Sequence, residues 1–230
     1  MQFKELREQV CEANLELVRR GLVVYTWGNV SGIDRGQGVV GIKPSGVDYD
    51  HLTPDRIVLL RLDGTPLEPG LRPSSDTPTH LVLYRAFAAL GGIAHTHSSC
   101  ATAWAQACRP LPCFGTTHAD HFHGTIPATR SLTPAEIAGE YEANTGQVIV
   151  EAFAERAAAD VPAVLVAHHG PFTWGKTPAD AVRNSVVLET VAHMALMSLP
   201  LAPCLTEIDR DLLDRHFCRK HGPSAYYGQA

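Results

Sequence analysis

The sequence predicts a single α/β domain that covers residues 1–230. Stretches with apolar residues at helical spacing alternate with short apolar runs that are typical of strands. A chain of 230 residues can bury one substantial core, and no linker, repeat or low-complexity segment divides it. These observations favour one domain over two.

The N-terminal part is predicted to contain one helix followed by strands. Apolar residues recur at helical spacing from Phe3 to Val18, and Gly21 stands where a helix C-cap is expected. A polar turn is expected at residues 26–31. Three strands are predicted, at residues 22–25, 39–42 and 57–62.

The middle of the chain is predicted to alternate helices with one strand. Thr77 as N-cap and Pro78 as first helical residue predict a helix that ends near residue 90. A strand through residues 93–97 and a helix at 98–107 follow. Residues 114–124 are rich in histidine and hydroxyl groups without helical periodicity, so we expect a strand or loop that lines a pocket. The alternative is a solvated polar turn.

The C-terminal part is predicted to be mostly helical. The capping box Thr133-Pro134-Ala135-Glu136 opens a helix to about residue 146. The apolar run 163–167 is typical of a buried strand. Further helices are predicted at residues 147–158, 178–199 and 209–221.

Composition excludes several classes of protein. The net charge of −5 argues against a nucleic-acid or anionic-membrane surface. Six cysteines without a Cys-x-x-Cys spacing suggest reduced thiols. Residues 1–20 are charged throughout, unlike a secretory signal, and the longest apolar runs are too short to span a membrane. A cytoplasmic protein is therefore expected.

Two histidine pairs suggest a metal site. His95 and His97 stand two apart on a predicted strand, so their side chains share a face. His168 and His169 follow the run 163–167, and because adjacent strand residues face opposite ways, at most one can join the first pair. Three imidazoles without a thiolate are typical of a catalytic zinc site with an open position. The alternative is ordinary, half-exposed strand histidines.

Three loops have the composition of a phosphate-binding site. They contain Gly28 and Asn29, the segment Lys43-Pro44-Ser45-Gly46, and Ser74 with Ser75 just before a predicted helix. Backbone amides, hydroxyls and one ammonium group suit a phosphate monoester, and a helix N-terminus favours an anion. Each loop alone is equally well explained as a turn or a helix cap.

The tail of the chain, residues 222–230, contains Tyr226 and Tyr227. Tyrosines are unusual in a terminus exposed to water, so the tail is expected to dock on its own subunit or to reach a neighbour. A phenol can also act as a general acid or base.

Taken together, six segments resemble the class II aldolases and their epimerase relatives, most closely the bacterial L-ribulose-5-phosphate 4-epimerases. In chain order they are Thr26-Trp27-Gly28-Asn29-Val30-Ser31, Lys43-Pro44-Ser45-Gly46-Val47, Pro73-Ser74-Ser75-Asp76-Thr77-Pro78-Thr79-His80, His95-Thr96-His97-Ser98, Gly115-Thr116-Thr117-His118-Ala119-Asp120 and His169-Gly170-Pro171-Phe172. No segment is specific alone, but their joint order covers essentially the whole chain, including the Tyr-Tyr-Gly-Gln ending.

The resemblance implies a three-layer α/β/α fold with a central, mostly antiparallel sheet covered by helices. It also implies a homotetramer with active sites between subunits, which the tail 222–230 of a neighbouring subunit completes. The implied ligands of Zn²⁺, or of another divalent metal ion, are His95, His97 and His169, with Asp76 as a weak or outer ligand. The implied substrate contacts are Gly28, Asn29, Lys43, Ser45, Gly46, Ser74 and Ser75. The implied acid/base residues are Asp120 and, from the adjacent subunit, Tyr227.

The implied activity is the interconversion of L-ribulose 5-phosphate and D-xylulose 5-phosphate by retro-aldol cleavage and rejoining of the C3–C4 bond. One rival is an aldolase that releases the two fragments. Aldolases of this superfamily usually carry glutamate at the position of Asp76, which favours the epimerase. A metal-buffering protein without catalysis is a third reading. The chain departs from the family pattern at His168, where a small polar residue is common, and at His121 and His123, where tyrosines are common.

Overall fold

The computed structural model describes residues 2–223, 225 and 226, and a six-stranded sheet forms its centre. The strand order is β3-β2-β1-β4-β6-β5, and every neighbouring pair is antiparallel. The strands are Asn29–Asp34 (β1), Val39–Ile42 (β2), Val58–Arg61 (β3), Gly92–His95 (β4), Ala163–Leu165 (β5) and Pro171–Gly175 (β6). The expected antiparallel sheet with helices is confirmed.

Helices pack against both faces of this sheet. The α-helices are Lys4–Arg19 (α1), Thr77–Ala86 (α2), Ser99–Gln106 (α3), Thr116–Ala119 (α4), Pro134–Ala138 (α5), Tyr141–Ala152 (α6), Pro178–Leu201 (α7) and Arg210–His221 (α8), with 3-10 turns at Tyr49–His51 and Pro54–Arg56. Side chains alternate along β4: Ala94 packs with α1 and α7, whereas Ile93 faces α2 and α6. Within the described residues, no helix is both long and apolar enough to cross a membrane.

The predicted strand at residues 22–25 is wrong. Tyr25 adopts a left-handed backbone conformation with φ 52°, and the first strand begins later, at Asn29, inside the predicted polar turn. β1 pairs with both β2 and β4, and the Asn14 side chain hydrogen-bonds the backbone of Val30 in both directions. This pairing outweighs the low strand propensity of asparagine, serine and glycine.

Several boundaries also differ from the prediction. Helix α2 ends at Ala86 rather than near residue 90, because the Arg35 guanidinium binds the carbonyl groups that follow the helix, those of Phe87 and Leu90. The segment 114–124 contains the short helix α4 instead of a strand. β6 was not predicted, because a glycine-proline pair opens it.

The capping box at Thr133 is confirmed, but its helix is short. Thr133 accepts a hydrogen bond from the Glu136 N–H, and the Glu136 side chain accepts from the Thr133 N–H. Gly139 then leaves the helical region, with φ −94° and ψ −133°. A new helix starts at Tyr141, six residues before the predicted start at 147.

Helix α3, which follows the histidine pair, is capped by a side chain from another helix. Its N-cap Ser98 makes no side-chain cap, and Glu189 of α7 instead accepts hydrogen bonds from the N–H groups of Cys100 (2.8 Å) and Ala101 (2.9 Å). A carboxylate at a helix N-terminus satisfies orphan donors and complements the helix dipole.

We therefore expect Glu189→Gln to lower the free energy of unfolding by about 1 kcal/mol, as a lost helix cap does. Urea titration followed by circular dichroism measures the change. The matched control is Glu8→Gln, which removes an exposed carboxylate from the i,i+4 pair with Lys4 on α1 and should change stability by about 0.3 kcal/mol or less. Equal changes in the free energy of unfolding would show that the cap provided by Glu189 does not contribute to stability.

Candidate metal and substrate site

The end of strand β4 forms the floor of the site. His95 is the last residue of β4, and it lies between Asn29 of β1 and Phe172 of β6 in the sheet register. Its ring stacks on Phe172 at a centroid distance of 4.1 Å, and only 1% of the residue is exposed. This packing restricts the orientation of the His95 ring.

The structure brings His97 and His169 to His95. His97 lies just beyond β4, whereas His169 lies in the turn between β5 and β6. Gly170 permits this turn, because a Cβ atom there would lie 2.8 Å from the Thr96 carbonyl oxygen. The three ring systems have centroid separations between 4.8 and 5.1 Å. Both histidine pairs were predicted on strands, but of these four residues only His95 lies on one. His169 joins the cluster, whereas His168 does not.

The three imidazoles form a donor set for a metal ion. One ligand nitrogen from each lies within 4.8 Å of the others. The Nδ1–H of His95 donates to the Pro171 carbonyl oxygen at 2.9 Å, which leaves the lone pair on Nε2. That Nε2 atom lies 3.1 Å from Nε2 of His97. At this distance, both nitrogen atoms could coordinate the same divalent cation.

Burial favours the neutral form of His97 and His169. It lowers the pKa of His169 to about 4, with further lowering by the neighbouring His95 and His97. Burial, and then His95, also lowers the pKa of His97. Since metal ions bind neutral imidazole, the lowered pKa values of His97 and His169 favour metal binding at neutral pH.

Asp76 lies beside the cluster as an ionised group. Its Oδ2 accepts a hydrogen bond from Asn29 Nδ2 at 2.6 Å. Burial raises the pKa of this carboxyl, but His95, His80 and the bond from Asn29 outweigh it, so that the pKa falls below its usual value. Asp76 is also the N-cap residue of α2, where a helix dipole favours negative charge.

A cavity of about 600 Å³ opens over these residues. It contains every residue that the resemblance assigned to the metal or the substrate within one subunit. The lining residues are Thr26, Trp27, Gly28, Asn29, Lys43, Pro44, Ser45, Gly46, Ser74, Ser75, Asp76, His95, His97, Tyr141, Glu142 and His169.

The two serine-containing loops are joined by backbone hydrogen bonds. Ser74 N–H donates to the Lys43 carbonyl at 3.0 Å, and Ser45 N–H donates to the Arg72 carbonyl at 2.9 Å. The ammonium group of Lys43 is buried and donates to the Val47 carbonyl at 2.7 Å. The backbone N–H groups of Ser45 and Ser74 are therefore already hydrogen-bonded. The groups that could bind an anion here are the serine hydroxyls and the ammonium group of Lys43.

The cavity also includes residues that the sequence reasoning did not assign. One of them is Tyr141, whose hydroxyl lies 3.5 Å from Nδ1 of His169. Burial raises the pKa of Tyr141. The sequence carried no clear signal for this residue, because one continuous helix was predicted for the segment. The helix break at Gly139 was not predicted. Trp27 lies within a recognised motif but had no assigned role.

Asp120 is absent from the described residues that line the cavity. It caps the C-terminus of α4 and faces α8, where its carboxylate accepts hydrogen bonds from Arg219 and His216. Tyr227, the other predicted acid/base residue, lies outside the described residues.

The three other histidines singled out in the sequence also lie apart from the metal cluster. His168 is exposed in the β5–β6 turn, with Nε2 3.3 Å from Sγ of Cys108. His123 contacts Asp214 through Nε2 at 2.6 Å. Burial, together with Lys220, lowers the pKa of His121 to about 4. None of the three therefore adds a ligand to the cluster.

Comparison with known proteins identifies relatives over the whole chain. A family model described as the class II aldolase and adducin N-terminal domain matches residues 8–196. L-ribulose-5-phosphate 4-epimerase UlaF of Salmonella paratyphi C is 54% identical over 227 residues, which cover 99% of this chain and 100% of the relative. The protein of the same name from Salmonella choleraesuis has the same identity and coverage.

Solved structures share the fold. An L-fuculose 1-phosphate aldolase superposes with a TM-score of 0.79 at 22% identity, covering 94% of this chain and 96% of that chain. YgbL from Klebsiella pneumoniae superposes with a TM-score of 0.73 at 24% identity, covering 94% and 99%. At these identities the likeness shows the fold alone. The family match and the close relatives show more: the chain belongs to the class II aldolase and adducin N-terminal domain family.

Proposed function

We propose that this protein is a metal-dependent L-ribulose-5-phosphate 4-epimerase, which interconverts L-ribulose 5-phosphate and D-xylulose 5-phosphate. The observation that carries the proposal is one cavity that combines the histidine cluster with the serine loops. The proposed substrate is that of the relatives with this name, to which the chain is 54% identical.

The metal ion we propose is zinc, held by His95, His97 and His169, with Asp76 as a weak or outer ligand. Three neutral imidazoles leave a coordination position open, as catalytic zinc sites do. When bound, such an ion supplies Lewis acidity for the negative charge that develops on the oxygens of the cleaved ketose.

The substrate contacts follow from the positions of the loops. The hydroxyl groups of Ser45 and Ser75 and the ammonium group of Lys43 would bind the phosphate of the substrate. Gly28 belongs to the same wall: its φ of 93° and the 2.8 Å distance from a Cβ to the His95 carbonyl oxygen demand glycine. Asn29, Gly46 and Ser74 complete this wall. The phosphate would thus be anchored while the rest of the substrate reacts.

Inversion at C4 requires two proton-handling groups. C4 is β to the ketone and bears no acidic hydrogen, so direct deprotonation cannot invert it. Removal of the proton from the C4 hydroxyl instead breaks the C3–C4 bond and leaves an enediolate and glycolaldehyde phosphate. If the aldehyde turns its other face before the bond re-forms, the proton must be returned from the opposite side. We assign the two sides to Asp120 and Tyr227.

A shared active site explains the position of Asp120. Its exclusion from the cavity of its own subunit supports a homotetramer in which Asp120 and the tail 222–230 complete the cavity of the adjacent subunit. Subunit-shared sites arise naturally at the repeated interface of a closed ring. We also propose a cytoplasmic location in pentose catabolism, for example of arabinose, because charged sugar phosphates do not cross a bilayer freely.

The experiment that tests the function is a proton NMR time course of zinc-loaded protein with L-ribulose 5-phosphate. We expect D-xylulose 5-phosphate to appear without free dihydroxyacetone. Accumulation of dihydroxyacetone and glycolaldehyde phosphate would instead establish the second candidate, a sugar-phosphate aldolase, which the fold shared with L-fuculose 1-phosphate aldolase favours. Zinc-loaded protein with no turnover of ketose phosphates would exclude both enzymes.

A further inference from the structure

Helix α8 holds Asp120 through a set of basic side chains. Arg219 donates two hydrogen bonds to its carboxylate, from Nε to Oδ1 at 3.0 Å and from Nη2 to Oδ2 at 2.7 Å. His216 donates from Nδ1 to Oδ1 at 3.0 Å, and Nζ of Lys220 lies 3.6 Å from Oδ2. His221 donates from Nε2 to the Asp120 carbonyl oxygen at 2.9 Å. The side chain and the backbone of Asp120 are therefore both attached to α8.

Arg219 has a second contact, with the tail. Its carbonyl oxygen accepts a hydrogen bond from the Tyr226 N–H at 3.0 Å. The preceding residue, Ala225, donates its N–H to the Gly222 carbonyl at 3.1 Å. Ala225 and Tyr226 thus contact the C-terminal end of α8. One residue contacts Asp120 through its side chain and, through its backbone, the residue that precedes Tyr227.

The surroundings of Asp120 keep it a carboxylate. The groups that face it are His121 beside α4 and His216, Arg219, Lys220 and His221 on α8. Burial raises the pKa of Asp120, but the hydrogen bonds from Arg219 and His216 and the charge of Lys220 outweigh it and lower the pKa. A carboxylate that accepts two parallel bonds from one guanidinium is also fixed in orientation.

We infer that Arg219 is a positioning residue for Asp120, one of the two acid/base groups of the proposed reaction. Its guanidinium fixes the plane of the Asp120 carboxylate, and its carbonyl accepts the hydrogen bond from the Tyr226 N–H. Helix α8 therefore holds the Asp120 carboxylate in one orientation. The inference rests on the proposed function, because it assigns Arg219 a role only in proton transfer at that site.

The test uses full-length, zinc-loaded protein with Arg219→Gln and Arg219→Lys. We expect Arg219→Gln to lower kcat at least about tenfold with little change in KM, as misplacement of a general base does. Asp120 must be ionised to accept a proton, so activity is lost as the pH falls through its pKa. Removal of Arg219 raises that pKa, and the acid limb of the kcat profile should move to higher pH. Arg219→Lys, which keeps the charge but not the paired donors, should restore part of kcat.

Two comparisons separate positioning from a general structural role. Arg210→Gln on the same helix removes an exposed bond to Asp214 and should behave as wild type. If Arg219 acts through Asp120, Arg219→Gln in the Asp120→Asn background should lower kcat little further. Full additivity in the double variant, or wild-type kcat and acid limb in Arg219→Gln, would overturn the inference. Wild-type protein without epimerase activity would instead refute the proposed function.

Discussion

Replacing His97 with asparagine is expected to abolish most metal binding and turnover. A carboxamide is a much poorer zinc ligand than an imidazole, and the two remaining histidines would form an incomplete site. His97 is the sharpest choice of the three, because its Nε2 atom faces that of His95 at 3.1 Å and His95 is itself packed on Phe172. We expect metal affinity to fall at least about 100-fold, the upper end of what the loss of a ligand's hydrogen-bonding partner costs, and kcat to fall with it.

The measurement is zinc per subunit by inductively coupled plasma mass spectrometry after dialysis against a weak chelator. His168→Asn is the matched control, since His168 is outside the cluster and its φ of 62° is a conformation that asparagine adopts readily. This control should retain metal content and turnover. Normal zinc stoichiometry in His97→Asn would remove His97 from the ligand set.

Local signals predicted the fold well where one element decides its own structure. The proline start and cap at Thr177 predicted helix α7, and Gly21 with φ 66° ends α1 as expected. The prediction failed where long-range contacts decide. Residues 22–25 have strand composition but pair with no strand in the described part of the chain, whereas Asn29 has poor strand propensity and nevertheless pairs with His95 of β4. Pairing partners are not readable from one segment.

The residues of the candidate site were not equally predictable from the sequence. The cavity residues belong to short motifs whose order along the chain matches a family, so their convergence did not depend on exact element boundaries. Tyr141 was missed because its position follows from a helix break at Gly139. Arg219 was missed because its helix looked like an ordinary charged terminal helix. Only the fold shows that Asp120, ninety-nine residues earlier, is its partner.

The position of Asp120 leads to the second large expected effect. Asp120→Asn should lower kcat by about 10² to 10⁴-fold, the range contributed by a general acid or base, while zinc content stays normal because Asp120 lies outside the cavity with the histidine cluster. Asparagine keeps the shape and still accepts a hydrogen bond from Arg219, but it cannot take up a proton at neutral pH. A loss of zinc in this variant would show that Asp120 supports the metal site instead.

Mixed oligomers of two inactive variants then decide whether the site is shared. Asp120→Asn subunits contribute an intact histidine cluster, and His97→Asn subunits contribute an intact Asp120. If each cavity is completed by its neighbour, random co-assembly of equal amounts restores about one quarter of the sites, since each half is intact with a chance of about one half. Co-expression with two affinity tags and sequential purification isolates the mixed oligomers. A mixture of His97→Asn with His169→Asn should stay inactive, because both variants damage the same half. Mixed Asp120→Asn and His97→Asn oligomers with no activity above that of the parents would place Asp120 and the histidines in independent roles within one subunit.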